Sequence, residues 1–246
     1  MHKFIRWLIT PRSREARINE SVETLAEEDL DDLDWLYPPP DVHAVEPWNT
    51  WWRGQVEHGV APGWTDMFCD DNALLDIVEA RGLESVLCVG CGVSQEPQAL
   101  AAAGLQVTAM DLSPFALRCA AQLGAVDTAD RFFRPGRMRA GGSLSFVEGD
   151  LMDPAICPGP FDVIVERKTL QLFPVGERAA AVASVVGRLA ANGVFLSHYH
   201  NGAWKPSQPR THLMESFLDA GDFQIARHAS VIRPDGRVAF LIMSTG

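Results

Sequence analysis

Apolar residues follow two alternating patterns along this chain from residue 70 onwards. Short runs that are apolar throughout, as in buried strands, alternate with longer segments whose apolar residues recur every three or four positions, as in amphipathic helices. The predicted helices are Asp70–Gly82, Ser94–Ala103, a helix that opens at Ser113, Glu177–Ala191 and His212–Ala220. The predicted strands are Val86–Val89, Gln106–Met110, Leu144–Glu148, Phe161–Glu166, Gly193–Ser197, Gln224–Ile232 and Val238–Met243.

Regular alternation of strand and helix is typical of a parallel sheet covered by helices on both faces. The last two strands are joined instead by the turn signal Pro234-Asp-Gly236, which predicts an antiparallel pair. The sequence therefore predicts an α/β fold: a Rossmann-like, seven-stranded, mostly parallel sheet with a terminal antiparallel hairpin.

Two glycines one residue apart, Gly90 and Gly92, follow the first of these strands and precede a helix. About twenty residues further on, Asp111 ends the next strand, where its carboxylate could hold the hydroxyls of a ribose. This spacing indicates a nucleotide or nucleoside ligand. A dinucleotide site would have a third glycine at the position of Gln95, so the sequence weakens an NAD interpretation.

The composition limits the possible partners. A formal net charge of −11 disfavours nucleic-acid binding, which needs clustered Lys and Arg. Five scattered cysteines form no disulfide framework and favour a reducing compartment. The apolar run near the amino terminus is too short for a signal peptide or a membrane span. We therefore expect a cytoplasmic protein without a membrane or nucleic-acid partner, and the sequence does not indicate its oligomeric state.

The chain divides into an amino-terminal arm or cap, residues 1–69, and a larger domain, residues 70–246. The arm contains the acidic, self-repelling segment Glu27–Asp34 and the prolines Pro38–Pro40, and we expect it to be poor in helix up to residue 46. Four tryptophans lie near its end: Trp48, Trp51, Trp52 and Trp64. They could form a lid over a ligand, or simply fasten the arm to the domain.

Four segments in order resemble the motifs of the class I S-adenosylmethionine-dependent methyltransferases. They are Val86–Ser94, Val107–Ser113, Phe146–Leu151 and Phe161–Pro174. The resemblance implies S-adenosylmethionine as cofactor and methyl transfer to a small-molecule acceptor through an oxygen, nitrogen or sulfur nucleophile. It also implies a glycine loop of Gly90, Cys91 and Gly92, ribose binding by Asp111 with Leu112 beside it, and Asp150 and Leu151 flanking the adenine.

A narrower resemblance is to the thiopurine S-methyltransferase branch. It is carried by Trp48-x-x-x-Trp52 with Gly54, by Gly142-Ser-Leu-Ser-Phe146, and by Glu166-Arg167 followed by Gly176-Glu-Arg178. In that branch a tryptophan and an arginine reach the cofactor region, so the resemblance adds Trp52, Glu166 and Arg167 to the expected cofactor site. The chain departs from that branch in its Gly-x-Gly loop and in Asp111, where Glu is frequent.

The catalytic candidates are His198 and Glu166, at the ends of two adjacent predicted strands. Either could accept a proton if the acceptor atom arrives protonated, and either could be structural, Glu166 as a partner of Arg167. The two cysteines Cys88 and Cys91 lack a second pair or nearby histidines, so we predict no metal and interpret both as packing residues.

Three further points stay open at the level of sequence. The basic segment 131–139 could attract an anionic acceptor or be an ordinary surface loop. An NAD-dependent oxidoreductase and a non-catalytic S-adenosylmethionine-binding regulator remain the alternative functions. The identity of the methyl acceptor is not indicated by any recognised motif.

Overall fold

The computed structural model describes residues 38–58, 71–122, 140–200, 223–233 and 236–245. The helices are α1 (Val45–Glu57), α2 (Asp71–Arg81), α3 (Glu96–Ala102), α4 (Pro114–Gln122) and α5 (Arg178–Val186), with a 3₁₀ turn at Leu170–Leu172. The strands are β1 (Ser85–Val89), β2 (Gln106–Asp111), β3 (Ser143–Glu148), β4 (Phe161–Arg167), β5 (Leu189–His200), β6 (Phe223–Arg233) and β7 (Gly236–Thr245).

The first five strands form a parallel sheet in the spatial order β3-β2-β1-β4-β5. This confirms the predicted α/β, Rossmann-like fold. The backbone of β7 pairs antiparallel with β5, and that of β6 pairs antiparallel with β7. Because the order reverses between β1 and β4, the chain leaves the sheet in opposite directions there, and a crevice opens at the carboxyl ends of these strands.

Each face of the sheet has its own hydrophobic core, as the period of a strand requires. Val86 and Cys88 of β1 point into a core shared with α2 and α3. Leu87 and Val89 of the same strand point to the other face, into a core shared with α5 and the 3₁₀ turn. Because both faces are covered, the central strands read as uninterrupted apolar runs rather than as alternating ones.

The prediction of a helix over Glu177–Ala191 was wrong at its carboxyl end. The helix ends at Val186, and β5 already begins at Leu189. Asn192 has a φ of +62°, and the pairing of β4 with β5 shifts register between Phe161 and Val163. The Asn-Gly pair is therefore part of an irregularity within the strand, where a left-handed residue is also accommodated, and not a helix cap.

Several other expectations lie outside the described residues: the helix His212–Ala220, the turn residues 234–235, Trp64 and the basic segment 131–139. Of the arm predicted to be poor in helix, residues 1–37 also lie outside, and α1 begins at Val45. Within the part of the chain that the structure describes, no helix is both long and apolar enough to span a membrane.

Candidate functional site

A pocket opens at the carboxyl ends of the parallel strands, in the crevice where the strand order reverses. The space between its walls, including the open mouth, is about 760 Å³. Seven of the predicted site residues line it: Trp52, Gly90, Asp111, Leu112, Asp150, Leu151 and Arg167. The other four predicted residues, Cys91, Gly92, Glu166 and His198, lie around the pocket without lining it.

The glycine loop is shaped by two close approaches of neighbouring side chains. Gly90 and Gly92 have φ values of +59° and +53°, in the left-handed region that favours glycine. A Cβ on Gly90 would lie 2.2 Å from Thr169 Oγ1, and a Cβ on Gly92 would lie 2.4 Å from Trp52 Cζ2. Two independent reasons therefore favour glycine at each position: the left-handed backbone conformation and the lack of space for a side chain.

Asp111 fastens the end of β2 to this loop. One carboxylate oxygen accepts a hydrogen bond from the Gly92 amide at 2.7 Å, and the other accepts one from the Ser113 amide at 2.8 Å. Burial raises the pKa of Asp111 to about 6, and the hydrogen bonds from Ser113 and Gly92 limit this rise. The carboxylate is consequently ionised at neutral pH and borders the pocket with lone pairs that remain available.

Helix α1 packs across the loop and the end of β2. The side-chain oxygen of Asn49 accepts hydrogen bonds from the Ser113 hydroxyl at 2.8 Å and the Phe115 amide at 3.2 Å. Trp51 and Trp52 pack edge to face with ring centroids 4.6 Å apart. With Trp48 they form a cluster that packs against the glycine loop and α4, and all three line the pocket. The tryptophans therefore fasten the arm and cover the pocket at the same time.

A histidine connects the arm to the opposite wall of the pocket. His43 Nδ1 lies 3.0 Å from an oxygen of Asp150, and Nε2 lies 2.9 Å from an oxygen of Glu177. The hydrogen bonds to Glu177 and then Asp150 raise the pKa of His43 above its ordinary value. The other oxygen of Asp150 accepts from the Met152 amide at 2.8 Å, so the loop after β3 is held from two sides.

Glu166 is buried behind the pocket wall, at 1% exposure. One oxygen accepts a hydrogen bond from the Ser197 hydroxyl, and the other accepts from the amides of Thr169 at 3.0 Å and Leu170 at 3.3 Å. Burial raises the pKa of Glu166 to about 7 against the effect of these donors. Glu166 therefore holds the backbone of the turn after β4 in place.

Arg167 and His198 belong to a second buried group. The guanidinium donates to both oxygens of Glu96, its Nε at 2.7 Å, in a bidentate pair. The imidazole of His198, at 1% exposure, contacts another nitrogen of the same guanidinium. Glu96 belongs to the first turn of α3, so this pair joins the glycine loop's helix to the ends of β4 and β5. A charged pair with so little access to water is held in one geometry.

The cysteines of the loop are free thiols in this structure. Cys88 points into the core, and the pKa of the Cys91 thiol is raised because it is shielded from water and lies near Asp111. A thiol with a raised pKa is a poor nucleophile and a poor metal ligand at neutral pH, which supports the interpretation of both residues as packing residues.

Residues 87–197, which span β1 to most of β5, match a family model described as a methyltransferase domain. The match, together with the fold, confirms the predicted enzyme class and cofactor, an S-adenosylmethionine-dependent methyltransferase. No curated protein matches the chain in sequence.

Solved structures share the fold of this domain. Magnesium protoporphyrin IX methyltransferase from Synechocystis PCC 6803, with bound S-adenosylmethionine, has a TM-score of 0.55 at 16% identity, over 96% of this chain and 99% of that one. A TehB-like methyltransferase from Corynebacterium glutamicum has a TM-score of 0.52 at 19% identity, over 82% and 98%. The N-methyltransferase NodS from Bradyrhizobium japonicum, with S-adenosylhomocysteine, has a TM-score of 0.51 at 14% identity, over 72% and 86%.

Several residues that build this pocket were not predicted from the sequence. His43, Asn49 and Glu96 act across the fold, and only Glu96 had a signal, an acid in the first turn of a predicted helix. Lys168 was passed over although it lies inside the fourth motif, directly after Arg167, and it lines the pocket. The partners of His43, Asn49 and Glu96 across the fold lie 64 to 134 residues away in the chain, so no local spacing pattern indicates them.

Proposed function

We propose that this protein transfers the methyl group of S-adenosylmethionine to a small-molecule acceptor by in-line displacement. The observation that carries the proposal is the pocket itself. It lies at the carboxyl edge of the sheet, between a glycine loop on β1 and acids at the end of β2 and after β3. When bound, the cofactor supplies a methyl group already activated by a positively charged sulfur.

In this proposal the residues around β1, β2 and β3 hold the cofactor. Gly90, Cys91 and Gly92 let the backbone approach its amino-acid part. Asp111, with Leu112 beside it, accepts hydrogen bonds from the ribose hydroxyls, because a carboxylate has about four lone-pair positions and the amides of Gly92, Ser113 and Leu112 do not fill them all. Asp150 and Leu151 flank the adenine. The Asp150 oxygen that would accept a hydrogen bond from the adenine amino group is the one that contacts His43.

Trp52 covers the glycine loop, and aromatic faces near a sulfonium attract it by a cation–π interaction. Arg167 borders the same pocket in the orientation that Glu96 imposes. Trp52 and Arg167 are also the two positions that the resemblance to the thiopurine S-methyltransferase branch points to, so their approach to the pocket supports that branch. Sulfur as the acceptor atom stays a prediction.

In this proposal His198 and Glu166 are positioning residues and do not act as general bases. Both are buried behind the lining, and their polar atoms are engaged by Arg167 and by the turn after β4. We infer that they position these groups. Rate enhancement then comes from holding the acceptor's lone pair in line and from excluding water, and a protonated acceptor loses its proton to solvent.

The proposal extends to the organisation of the chain. Residues 1–69 act as a cap over a catalytic domain of residues 70–246, supported by the packing of α1 on the cofactor motifs. The seven-stranded form of the sheet, with β6 and β7 as an antiparallel hairpin, is supported by the backbone pairing of β7 with β5 and of β6 with β7. A cytoplasmic location and the absence of a nucleic-acid or membrane partner remain predictions from the sequence.

Calorimetry with S-adenosylhomocysteine and with NAD, followed by a turnover screen, tests the function. We expect binding of S-adenosylhomocysteine and formation of that product from S-adenosylmethionine with at least one thiol, hydroxyl or amine acceptor. Binding of NAD alone would overturn the proposal. Binding of S-adenosylhomocysteine without turnover on any acceptor would favour a non-catalytic regulator.

Asp111→Asn tests the site itself. The amide keeps the size of the side chain but loses the charge and one acceptor, so the affinity for S-adenosylhomocysteine should fall by about 10- to 100-fold. Asp162→Asn is the matched control, because Asp162 also accepts backbone amides, those of Glu84 and Ser85, but at the opposite edge of the sheet. The control should lose stability without losing affinity, and an equal loss of affinity in both variants would refute the ribose assignment.

A further inference from the structure

Residues 38–44, which we call the strap, border the pocket just before α1. The strap contains no helix or strand, and no backbone hydrogen bond joins it to a strand or to another helix within the described part of the chain. Its first three residues are prolines, which have no amide hydrogen to donate. The described contacts that hold the strap against the domain are therefore made by its side chains.

The strap forms part of the pocket lining through Pro38 and Val42. Val42 also packs against the core cluster that contains Leu151 and Phe173, two other residues of the lining. The ring of His43 meets that of Phe173 edge to face, with centroids 5.6 Å apart. The strap in this position therefore covers the side of the pocket at which we propose that the adenine binds.

The imidazole of His43 lies between two carboxylates that come from different parts of the domain. Nδ1 is 3.0 Å from an oxygen of Asp150, which follows β3, and Nε2 is 2.9 Å from an oxygen of Glu177, which precedes α5. A neutral imidazole has one N–H donor, and its other nitrogen can only accept. Both contacts are therefore hydrogen bonds only when the ring carries its second proton.

The charged groups around this ring in the described residues favour that proton. Besides Asp150 and Glu177, the carboxylate of Asp41 lies close by, where it accepts the His43 amide at 2.9 Å. The nearby guanidinium of Arg178 donates to backbone carbonyls of the turn after β4. The pKa of His43 is raised, mainly by Glu177 and then by Asp150. The His43 side chain is 40% exposed, so it can exchange its proton with water.

We propose that protonation of His43 closes the strap over the cofactor pocket, an inference that rests on the proposed function because the enclosed ligand is the cofactor. The imidazolium fastens the strap to the loop after β3 and to the start of α5. When the ring loses its second proton, one of the two hydrogen bonds is lost and the strap opens. The described contacts of Asp150 leave lone pairs of its carboxylate available, so the adenine amino group can bind there while His43 stays in place.

Calorimetry of S-adenosylhomocysteine binding to the full chain, at about pH 6 and about pH 8.5, tests the closure. Asp111 and Glu166 also titrate near this range, so the readout is the difference between the wild type and His43→Gln. Raising the pH should weaken binding to the wild type by about three- to tenfold more than binding to the variant, the modest size expected of partly exposed ion pairs. The charged bridge is present below pH 6.5 and is lost as pH rises through the folded pKa of His43.

Two further variants sharpen this test. Glu177→Gln replaces one carboxylate by an amide that can donate to a neutral ring, so it should remove the same part of the pH dependence as His43→Gln. His58→Gln is the matched control, because His58 is an exposed histidine at the other end of α1, and it should behave as the wild type. A wild type whose pH dependence equals that of His43→Gln overturns the inference. Weaker binding to the wild type than to His43→Gln at the lower pH would mean that His43 competes with the adenine for Asp150, and it also overturns the inference.

A ligand-free measurement separates this inference from the proposed function. In NMR spectra of the histidine Cε1–H groups, the signal that is absent from His43→Gln belongs to His43, and the same spectra show that each variant is folded. This signal should titrate above pH 6.5 in the wild type and closer to 6.5 in Glu177→Gln. A wild-type titration at or below 6.5 overturns the bridge, and with it the inference, whatever the ligand data show. A wild type that shows the bridge but binds no S-adenosylhomocysteine at either pH contradicts the proposed function and the closure over a cofactor together.

Discussion

Replacing Gly92 with alanine places a methyl group against the indole ring of Trp52. The new Cβ would lie 2.4 Å from Cζ2 and 2.7 Å from Cη2 of that ring, at a residue whose φ is +53°. The left-handed conformation costs alanine about 1–2 kcal/mol, and overpacking of a well-filled site adds about 1–3 kcal/mol. The ring has little room to retreat, since its centroid is 4.6 Å from that of Trp51.

We therefore expect Gly92→Ala to lower the free energy of unfolding by about 2–5 kcal/mol in urea denaturation followed by tryptophan fluorescence. Gly82→Ala is the matched control. Its φ is +65°, and no heavy atom lies within 4 Å of its Cβ position, so it should lose only about 1–2 kcal/mol. The difference between the two variants isolates the contact with Trp52.

A double-mutant cycle with Trp52→Leu tests the source of the difference. If the contact is real, Gly92→Ala should be less destabilising in the leucine background than in the wild type. Equal losses for Gly92→Ala and Gly82→Ala, with no coupling to Trp52, would refute the packing of α1 on the glycine loop and with it the cap over the pocket.

Three further predictions concern buried and bridging charges. The raised pKa of Glu166 means that the folded protein retains a proton that the unfolded chain releases, so stability should fall as pH rises from 4.5 to about 7. The slope should reach ~1.4 kcal/mol per pH unit, and Glu166→Gln should flatten it in urea denaturation. Glu96→Gln removes the carboxylate that pairs with the buried guanidinium of Arg167 and should cost about 3–5 kcal/mol in the same assay. The raised pKa of His43 means that its charged pairing is fully present below pH 6.5 and is lost as pH rises through the folded value. The fluorescence of the tryptophans in α1 should follow that titration in the wild type and not in His43→Gln.

Each of these has a result that contradicts it. An unchanged pH slope in Glu166→Gln would place the titration elsewhere. Glu96→Gln should be compared with Glu57→Gln on the exposed face of α1, and equal stabilities would mean that the buried pair is not formed. A pH-dependent fluorescence signal that persists in His43→Gln would show that His43 does not connect the arm to the wall of the pocket.

Much of the fold followed from local patterns. The run Val86–Val89 is apolar throughout because both faces of its strand are buried, and this same run divides its side chains between the two cores. The glycine loop and Asp111 were predicted because their spacing is set by a single strand–turn–helix–strand unit. The carboxyl end of α5 was predicted wrongly because an Asn-Gly pair such as Asn192-Gly193 is compatible both with a helix cap and with an irregular strand.

The roles of the site residues were harder to predict from the sequence than the fold. Glu166 and His198 were both recognised as polar residues at strand ends, but a strand end has a side that faces the pocket and a side that faces the core. Which side a residue occupies depends on the partners that adjacent elements supply. For Glu166 these are Ser197 and the amides after β4, and for His198 it is Arg167.

The sequence by itself determined the order of the five parallel strands and of the helices between them, the glycine turn after β1, the acid at the end of β2 and the class of cofactor, because each of these is encoded in neighbouring residues. Only the tertiary structure decided that α1 covers the pocket, that His43 links the arm to Asp150 and Glu177, and that Lys168 lies on the pocket wall. These contacts join residues far apart in the chain. Their geometry depends on how helices and strands pack against one another, and no local sequence pattern encodes that packing.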